Sequence, residues 1–386
     1  MKVFSLANEE EIYVKKETIE GTLVYPGADD YLLAVGVSTF GQDVEFIDDA
    51  QIRGGRSKLS PIKGRTHPGA WSFTTYVKPS GSLGVAPEAD VLFECLMGKK
   101  EVNPGVSVVY SLDSSVNLPS FSLWVKKGHT IFAMAGCTAN TGEVSVAGNE
   151  IAQVGWSGEF MKWYRAGRAL LTQPVATGET HAHVDKAERY SDERIRIKIG
   201  DDDNAGAGYT ITSVNYSTNV INFTPGLVGA GEAAGAVVQG WWPATGTETG
   251  APVHGKLGIC TIQGVPTKVL SARVSITNNI KYYEDEKNGE WYATTYEAIG
   301  FRDINGTLSL FYYRGAAGYF YRAEYQKQNA LVIPAGSVAG KILEVSCPQI
   351  EYRTPALSGD EEILIELPFI AVATAAGDDE CSITFR

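Results

Sequence analysis

The sequence predicts a mainly β protein, built as a two-layer β architecture with one flanking α-helix. Runs of β-branched and aromatic residues alternate with polar residues, and Gly, Pro, Asn and Asp interrupt these runs at short intervals. One segment has the pattern of a helix with clear ends. The clearest predicted strands are residues 70–77, 120–125, 209–214, 269–277 and 306–313.

The predicted helix spans residues 88–97. Pro87 stands at its start, acidic residues occupy its first turn, and Gly98 followed by two lysines ends it. Its sheet-facing side is predicted to hold Leu92, Phe93, Leu96 and Met97. A second helix is predicted over residues 158–168, because three apolar residues fall on one side of it: Phe160, Met161 and Tyr164.

The chain is predicted to contain a core in two parts with an inserted domain between them. Residues 1–168 and 252–386 share long, aromatic-rich strands, whereas residues 169–251 are richer in Gly, Ala and Thr. The inserted region reads as four or five short strands and ends in GWWPATGTETGAPV, which is typical of a linker. A β domain of this size needs support from its neighbours.

Composition narrows the functional classes. No stretch approaches the roughly 20 consecutive apolar residues of a membrane span, and the acidic start MKVFSLANEEEIYVKK does not read as a secretory signal. We therefore expect that the protein does not contact a membrane. We also expect that it assembles in a cytoplasm. The five cysteines are odd in number and mostly lie in apolar runs, so buried free thiols are expected.

The net charge of −12 argues against a protein that grips the phosphate backbone over a broad surface, because such proteins use clustered Lys and Arg. The same negative charge suits a surface that DNA slides past, because attraction between the protein and the DNA would slow the passage of the DNA.

No motif predicts catalysis or a cofactor. The chain has no phosphate-binding P-loop and no Gly-x-Gly-x-x-Gly after a strand. The sequence Gly-Trp-Ser157-Gly places its second Gly one residue too early for a nucleophile elbow, so Ser157 is assigned to a turn. Paired carboxylates for glycoside hydrolysis cannot be judged from spacing alone. The abundant Trp and Tyr residues would suit sugar stacking, but β cores and subunit interfaces use the same residues, and that interpretation is favoured.

Two segments have some of the residues that metals prefer. His181 and His183 with Asp185 could present two imidazoles on one side of a strand, but an exposed loop is favoured because further ligands are missing. The loop at residues 201–206, DDDNAG, clusters carboxylates as calcium loops do. It has Thr212 where such loops have Glu, so a turn capped by Asp and Asn is favoured. We predict no metal site.

Charged segments are the remaining candidates for a functional surface. One basic segment holds five cations and no acid: Arg53, Arg56, Lys58, Lys63 and Arg65. We predict a subunit interface there, weighed equally against a solvated loop, with a DNA contact ranked below both. Three acidic clusters are predicted to be its partners or to line a lumen: Glu284, Asp285 and Glu286; Asp360, Glu361 and Glu362; and Asp378, Asp379 and Glu380.

The order of several motifs resembles the tail tube proteins of long-tailed bacteriophages. The first is residues 64–98, GRTHPGAWSFTTYVKPSGSLGVAPEADVLFECLMG, followed by PSFSLWVKKG, a Gly-Cys pair at 136–137 and IAQVGWSGEF. The C-terminal motifs are VSITNNIKYYEDE, GFRDINGTLSLFYY and a closing acidic hairpin that ends in GDDECSITF. The resemblance covers most of the chain outside residues 169–251.

This resemblance implies a non-enzymatic virion protein with a two-sheet β-sandwich or barrel and one packed helix. It further implies six-membered rings that stack into a tube, with inner sheets joined into a continuous barrel around passing DNA. Such joining would leave no exposed strand edge. The implied partners are further copies of the chain and other tail proteins, namely the tape measure, the terminator and the baseplate. The inserted region is expected on the tube exterior.

Two alternatives stay open. Another ring-forming tail component, such as a terminator or baseplate protein, would differ mainly in copy number. A secreted carbohydrate-binding or carbohydrate-cleaving β protein would explain the aromatic and acidic residues, but the missing signal peptide and the odd number of cysteines disfavour it.

Overall fold

A computed structural model describes residues 9–49, 60–115, 117–191, 193–247, 250–284, 289–313, 315–359 and 361–386. The predicted mainly β fold class is confirmed. The first fourteen strands are β1 Glu11–Lys16, β2 Tyr31–Leu32, β3 Val35–Gly41, β4 Val44–Ile47, β5 Ile62–Thr66, β6 Gly69–Tyr76, β7 Gly98–Asn103, β8 Ser107–Leu112, β9 Phe121–Lys127, β10 Thr130–Cys137, β11 Thr141–Ala147, β12 Gln153–Phe160, β13 Lys162–Ala166 and β14 Arg168–Leu170.

The later strands are β15 His181–His183, β16 Arg196–Ile199, β17 Tyr209–Asn215, β18 Val220–Thr224, β19 Val237–Gly240, β20 Thr261–Ile262, β21 Val265–Pro266, β22 Ser271–Thr277, β23 Ile280–Tyr283, β24 Thr295–Ala298, β25 Asp303–Phe311, β26 Asn329–Ala335, β27 Leu343–Tyr352, β28 Ala356–Ser358, β29 Leu364–Ala371 and β30 Ser382–Phe385. The α-helices in the described residues are α1 Asp90–Met97 and α2 Ala317–Glu324. None of the described helices is long and apolar enough to cross a membrane.

The chain folds into two compact units. The smaller unit combines three separate segments, Met1–Leu32, Phe121–Cys137 and Phe160–Thr247. The larger unit combines Leu33–Ser120, Thr138–Glu159 and Glu248–Arg386.

The smaller unit contains two antiparallel sheets around one hydrophobic core. A five-stranded sheet has the order β13-β10-β9-β1-β2, and a six-stranded sheet has the order β14-β19-β16-β17-β18-β15. The core joins buried residues of the first sheet, such as Tyr13, Trp124 and Ile131, with Ile197 and Phe223 of the second. The strands of residues 169–251 therefore share their core with segments that lie far away in the sequence.

A buried carboxylate fixes three chain segments of this unit. Glu17 is 7% exposed. Its Oε1 accepts hydrogen bonds from Ser122 Oγ at 2.8 Å and from Gly136 N at 2.9 Å, and its Oε2 accepts one from Gly21 N at 2.9 Å. Because buried carboxylates are costly without donors, these bonds make the side chain a structural cross-link.

The larger unit is built on a sheet that branches at β27. The main path runs β21-β20-β26-β27-β29-β25-β22-β11-β12-β6-β3. The C-terminal part of β27 pairs with β29, whereas its N-terminal part pairs with β30, which continues to β8 and β7. One strand thus belongs to two branches.

Helix α1 packs between these branches. The Phe93 ring lies 4.9 Å from that of Trp156 on β12 and 5.2 Å from that of Phe385 on β30. All four residues predicted to face the sheet are buried. Gly98, at φ 92, ends the helix with a backbone bond to Glu94, so the predicted helix and its end are confirmed.

A polar network ties α1 to two of the C-terminal motifs. The buried Asn278 side chain donates to the carbonyl oxygens of Leu96 and Ala139 at 2.9 and 3.2 Å. Arg302 Nε donates to Asn278 Oδ1 at 3.1 Å, and its guanidinium also donates to the Asp113 carbonyl oxygen at 2.6 Å. These bonds explain why polar residues interrupt the strand pattern there.

Two local predictions are wrong. Residues 158–168 do not form a helix, because β12 ends at Phe160 and β13 pairs with β10 from Lys162 onwards. Ser157 does not lie in a turn, because it pairs with Thr141 inside the β11–β12 ladder. The cysteines are all free thiols, as predicted, and four of them are buried: Cys95, Cys137, Cys347 and Cys381.

Candidate assembly surfaces

Exposed apolar side chains are concentrated in the larger unit. Among the described residues, the exposed large hydrophobic side chains of the smaller unit are Ile19, Leu170, Tyr216 and Val228. All the others lie in the larger unit, although that unit is less than twice as long. Since contiguous exposed apolar surface marks interaction sites, the larger unit is where assembly contacts are expected.

Two hairpins and the residues next to them carry several of these side chains, including Phe301, which is 95% exposed. The β4–β5 and β23–β24 pairs each form a separate two-stranded sheet. The Thr66 amide donates to the Trp291 carbonyl oxygen at 2.7 Å, so the base of one hairpin is bonded to the chain of the other. We call these elements the paired hairpins; their exposed apolar residues are Phe46, Ile47, Ile62, Trp291, Ile299 and Phe301.

The base of the β23–β24 hairpin is held in the larger unit by two buried tyrosines. Tyr282 of β23 donates to the Glu159 carbonyl oxygen at 2.9 Å, and its ring lies 5.4 Å from the buried ring of Tyr296. Isolated two-stranded sheets are marginal in water. Anchoring at the base therefore stabilises a hairpin that has exposed apolar side chains in the monomer.

The described part of the basic segment lies on β5. Lys63 is exposed, whereas Arg65 is partly buried and lies 3.4 Å from Glu45 and 3.7 Å from Glu284. The structure thus brings Arg65 and one of the predicted acidic residues together within the chain. Arg53, Arg56 and Lys58 lie outside the described residues.

The acidic clusters have different surroundings. Glu284 also contacts His67 Nδ1 at 3.0 Å, and Glu361 and Glu362 are exposed. Asp378 accepts a hydrogen bond from Ser114, and Asp379 caps the Thr374 backbone and hydroxyl, which lowers the pKa of Asp379. Glu380 is partly buried. Asp285, Glu286 and Asp360 lie outside the described residues.

One carboxyl near the paired hairpins has a perturbed pKa. Burial raises the pKa of Glu159 above its ordinary value of 4.5, and repulsion from Glu284 raises it further. The ionised form of Glu159 is therefore disfavoured in the folded protein.

Open sheet edges are a second candidate surface. Among the described residues, β3 pairs with β6 only, so its other edge carries unpaired backbone groups. At the opposite end of the path, β21 is short and contains Pro266, which protects that edge. Beside it lies an apolar groove of about 770 Å³ lined by residues such as Ile259, Val269 and Leu270.

The structure places the two motifs that resemble metal sites in a strand and in a hydrogen-bonded turn. His181 and His183 lie on β15 with ring centroids 5.7 Å apart, and no group of three or more His, Cys, Asp or Glu side chains suited to a metal occurs within the part of the chain that the structure describes. In the loop at 201–206, Asp202 accepts from Asn204 N and Asp203 from Gly206 N, both at 2.9 Å. The predicted capped turn is confirmed.

Sequence patterns did not reveal the paired hairpins. The sequence of β4, VEFI, is that of an ordinary apolar strand and does not show that Phe46 and Ile47 are both exposed. Only the structure shows that, among the described residues, these side chains stay uncovered. The charge of the basic segment drew attention to the same part of the chain.

Sequence comparison gives an independent result. The profile of a protein family described as Phage tail tube protein matches residues 7–371. No curated protein matches the chain.

Proposed function

We propose that this chain, which belongs to the phage tail tube protein family, assembles into six-membered rings that stack into a tube through which DNA leaves the virion. Family membership makes it a structural component of the phage tail. The ring number, the stacking and the passage of DNA are the proposal. It requires no catalytic residue.

The observation that carries this proposal is the unequal exposure of apolar residues. The paired hairpins and the open β3 edge lie in the larger unit, where a neighbouring copy would cover them. Contacts between different surfaces of identical chains close into rings when the rotation allows, and strand edges join by β-augmentation.

The basic and acidic segments are proposed to contribute to contacts between copies. Lys63 and the cations Arg53, Arg56 and Lys58 would meet Glu361 and Glu362 or other acidic residues of a neighbour. The net charge of −12 supports a lumen that repels the DNA backbone. The tape measure, terminator and baseplate proteins are the proposed further partners, with assembly in the host cytoplasm.

The region of residues 169–251 is proposed to lie on the tube exterior. Its six-stranded sheet exposes few apolar side chains, which is typical of a surface in contact with water. This placement keeps it out of the lumen.

Electron microscopy of the purified protein over a range of concentrations tests the assembly. We expect hollow six-fold rings or tubes with outward projections. Rings of another symmetry would contradict the hexamer. Monomers at every concentration would contradict self-assembly of the isolated subunit.

Matched substitutions test which unit makes the contacts. Phe46→Thr with Ile62→Thr removes two exposed apolar side chains and places Thr, a residue that favours strands, at both positions. Burial of each is worth about 1.5–3 kcal/mol, so the critical concentration should rise about 100-fold or more. Leu170→Thr with Val228→Thr makes the same type of change in the smaller unit. Sedimentation should show no change for this control.

Charge reversal tests the basic segment. Arg53→Glu, Arg56→Glu and Lys58→Glu together should stop polymerisation while circular dichroism shows folded monomers. Unchanged tubes would remove the segment from the interface.

A further inference from the structure

A cavity of about 730 Å³ opens on the smaller unit. Its volume lies within the range of small-molecule sites, about 300–1,000 Å³. Aromatic and charged residues line it: Tyr31, Trp241, Trp242, Glu9, Glu10, Glu11, Lys126, His129, Lys198 and Asp203, with Gln239 beside them. We propose that this cavity binds a neutral or N-acetylated saccharide.

The aromatic lining is fixed in place by the protein. Trp242 Nε1 donates to Glu11 Oε2 at 2.8 Å, and Trp241 Nε1 donates to the Gly206 carbonyl oxygen at 3.0 Å. The Trp242 ring packs edge-on against the buried Tyr13 at 5.1 Å. Trp241 is 6% exposed and serves as a wall of the cavity. The partly exposed rings of Tyr31 and Trp242 offer a ligand apolar surface, on which the C–H face of a sugar ring can pack beside the Lys126 ammonium, 5.7 Å from the Trp242 ring centroid.

Several polar side chains at the same cavity are available to a ligand. Within the part of the chain that the structure describes, the side chains of Glu9, His129 and Gln239 make no hydrogen bond or ion pair. Lys198 makes no hydrogen bond there, although its charge helps to lower the pKa of Asp202. Together they offer a carboxylate, an imidazole, an ammonium group and an amide. Saccharide hydroxyls both donate and accept, so they suit this mixed set.

The charge of the lining disfavours an anion. Lys126 lies 2.7 Å from Glu11 and is neutralised by it. Glu10 is likewise paired with Lys127 at 3.5 Å. The remaining carboxylates of the lining, Glu9 and Asp203, still outnumber its remaining lysine, Lys198, so a phosphate would meet net repulsion. A cavity with aromatic walls, mixed polar groups and little net attraction for anions therefore selects an uncharged, hydroxyl-rich ligand.

Saturation-transfer NMR and calorimetry of the dispersed full chain test the proposal. The probes are the N-acetylglucosamine trimer and maltotriose, with glucose 6-phosphate as the anionic comparison. We expect one of the two neutral probes to bind and glucose 6-phosphate to bind more weakly. Because only the dispersed subunit is needed, the outcome does not depend on tube assembly.

Variants locate the binding. Lys198→Ala with Gln239→Ala changes side chains outside the core and should lower the affinity about tenfold or more, since hydrogen bonds to charged groups are worth about 1.5–3 kcal/mol. His181→Ala with Lys186→Ala, in the same unit but not in the cavity lining, should leave it unchanged.

Three results would overturn the proposal. The first is that neither neutral probe binds at millimolar concentration, and the second is that the cavity variant binds as well as the parent. The third is binding that occurs only after residues 1–8 are removed, which would make the N-terminal segment of the chain the occupant.

Discussion

The smaller and larger units differ in how completely they bury their apolar side chains. The smaller unit closes one core between two sheets and leaves few large apolar side chains exposed. The larger unit packs α1 inside a branched sheet but leaves the paired hairpins and the β3 edge uncovered. The difference indicates that the smaller unit is built for its own stability, whereas the larger unit has surfaces that further copies would complete.

The largest effect is expected when residues 169–247 are deleted and the two chain ends are joined by a short Gly/Ser linker. The deletion removes the six-stranded sheet, so Tyr13, Trp124 and Ile131 lose one side of their core. Each large side chain loses about 1.5–3 kcal/mol of burial. We expect the smaller unit to unfold, seen as lost amide protection in β1, β9 and β10. Folded protein that still forms tubes would show that the five-stranded sheet is stable alone.

Glu17→Ala should unfold the smaller unit selectively. Three donors lose their acceptor, and each unsatisfied buried group costs about 1–3 kcal/mol, so the total is about 3–9 kcal/mol. Hydrogen exchange should accelerate in β9 and β10 but not in β22 and β25. Thr18→Ala, at an exposed neighbour, is the control. Equal acceleration in both units would mean that they unfold together.

Lys78→Met removes one partner of a buried ion pair in the larger unit, and we expect it to lower the stability of that unit. Lys78 and Glu88 lie 3.3 Å apart with side chains that are 6% and 7% exposed. The variant leaves a buried, unpaired carboxylate, which costs about 3–5 kcal/mol. Urea unfolding should report this loss, and adding Glu88→Gln should recover part of it. No recovery would indicate that the cost comes from the packing of the lysine stem.

Glu159→Gln should have the smallest effect. The raised pKa of Glu159 means that its ionised form is disfavoured in the folded state, so stability is lost as pH rises from 4.5 through the folded pKa. At pH 7 the variant should therefore be slightly more stable, by about 0.5 kcal/mol. Below pH 4 the two proteins should unfold alike. A stabilisation that is equal at both pH values would assign the effect to packing.

Local signals predicted the parts of the fold that depend on local chemistry. Helix α1 has Pro87 before it, Asp90 in its first turn and Gly98 at its end, and each acts within one helical turn. Helix α2 lacked such signals, since its segment AGYFYRAE has no acidic residue in its first turn and contains a Gly and three aromatic residues. It forms where the buried Tyr319 packs against Tyr352, 5.7 Å away. Tertiary contact overrides propensity at this site.

Pairing between distant segments could not be predicted. Phe160, Met161 and Tyr164 fit a helical period, but the neighbouring strand β10 decides their conformation. The composition of residues 169–251 indicated an inserted domain, yet composition does not show which remote strands share its core. For the candidate surfaces, the sequence revealed charge but not which apolar residues stay uncovered.

The three-segment construction of the smaller unit has a consequence for synthesis on the ribosome. β1 pairs with β9, and the shared core includes Val238 of β19, so the earliest strand waits for more than half of the chain to emerge. At about 5–20 residues per second, this wait lasts on the order of ten to forty seconds. During that time the apolar face of β1 is available to chaperones, and translation speed sets how long the nascent subunit stays incomplete.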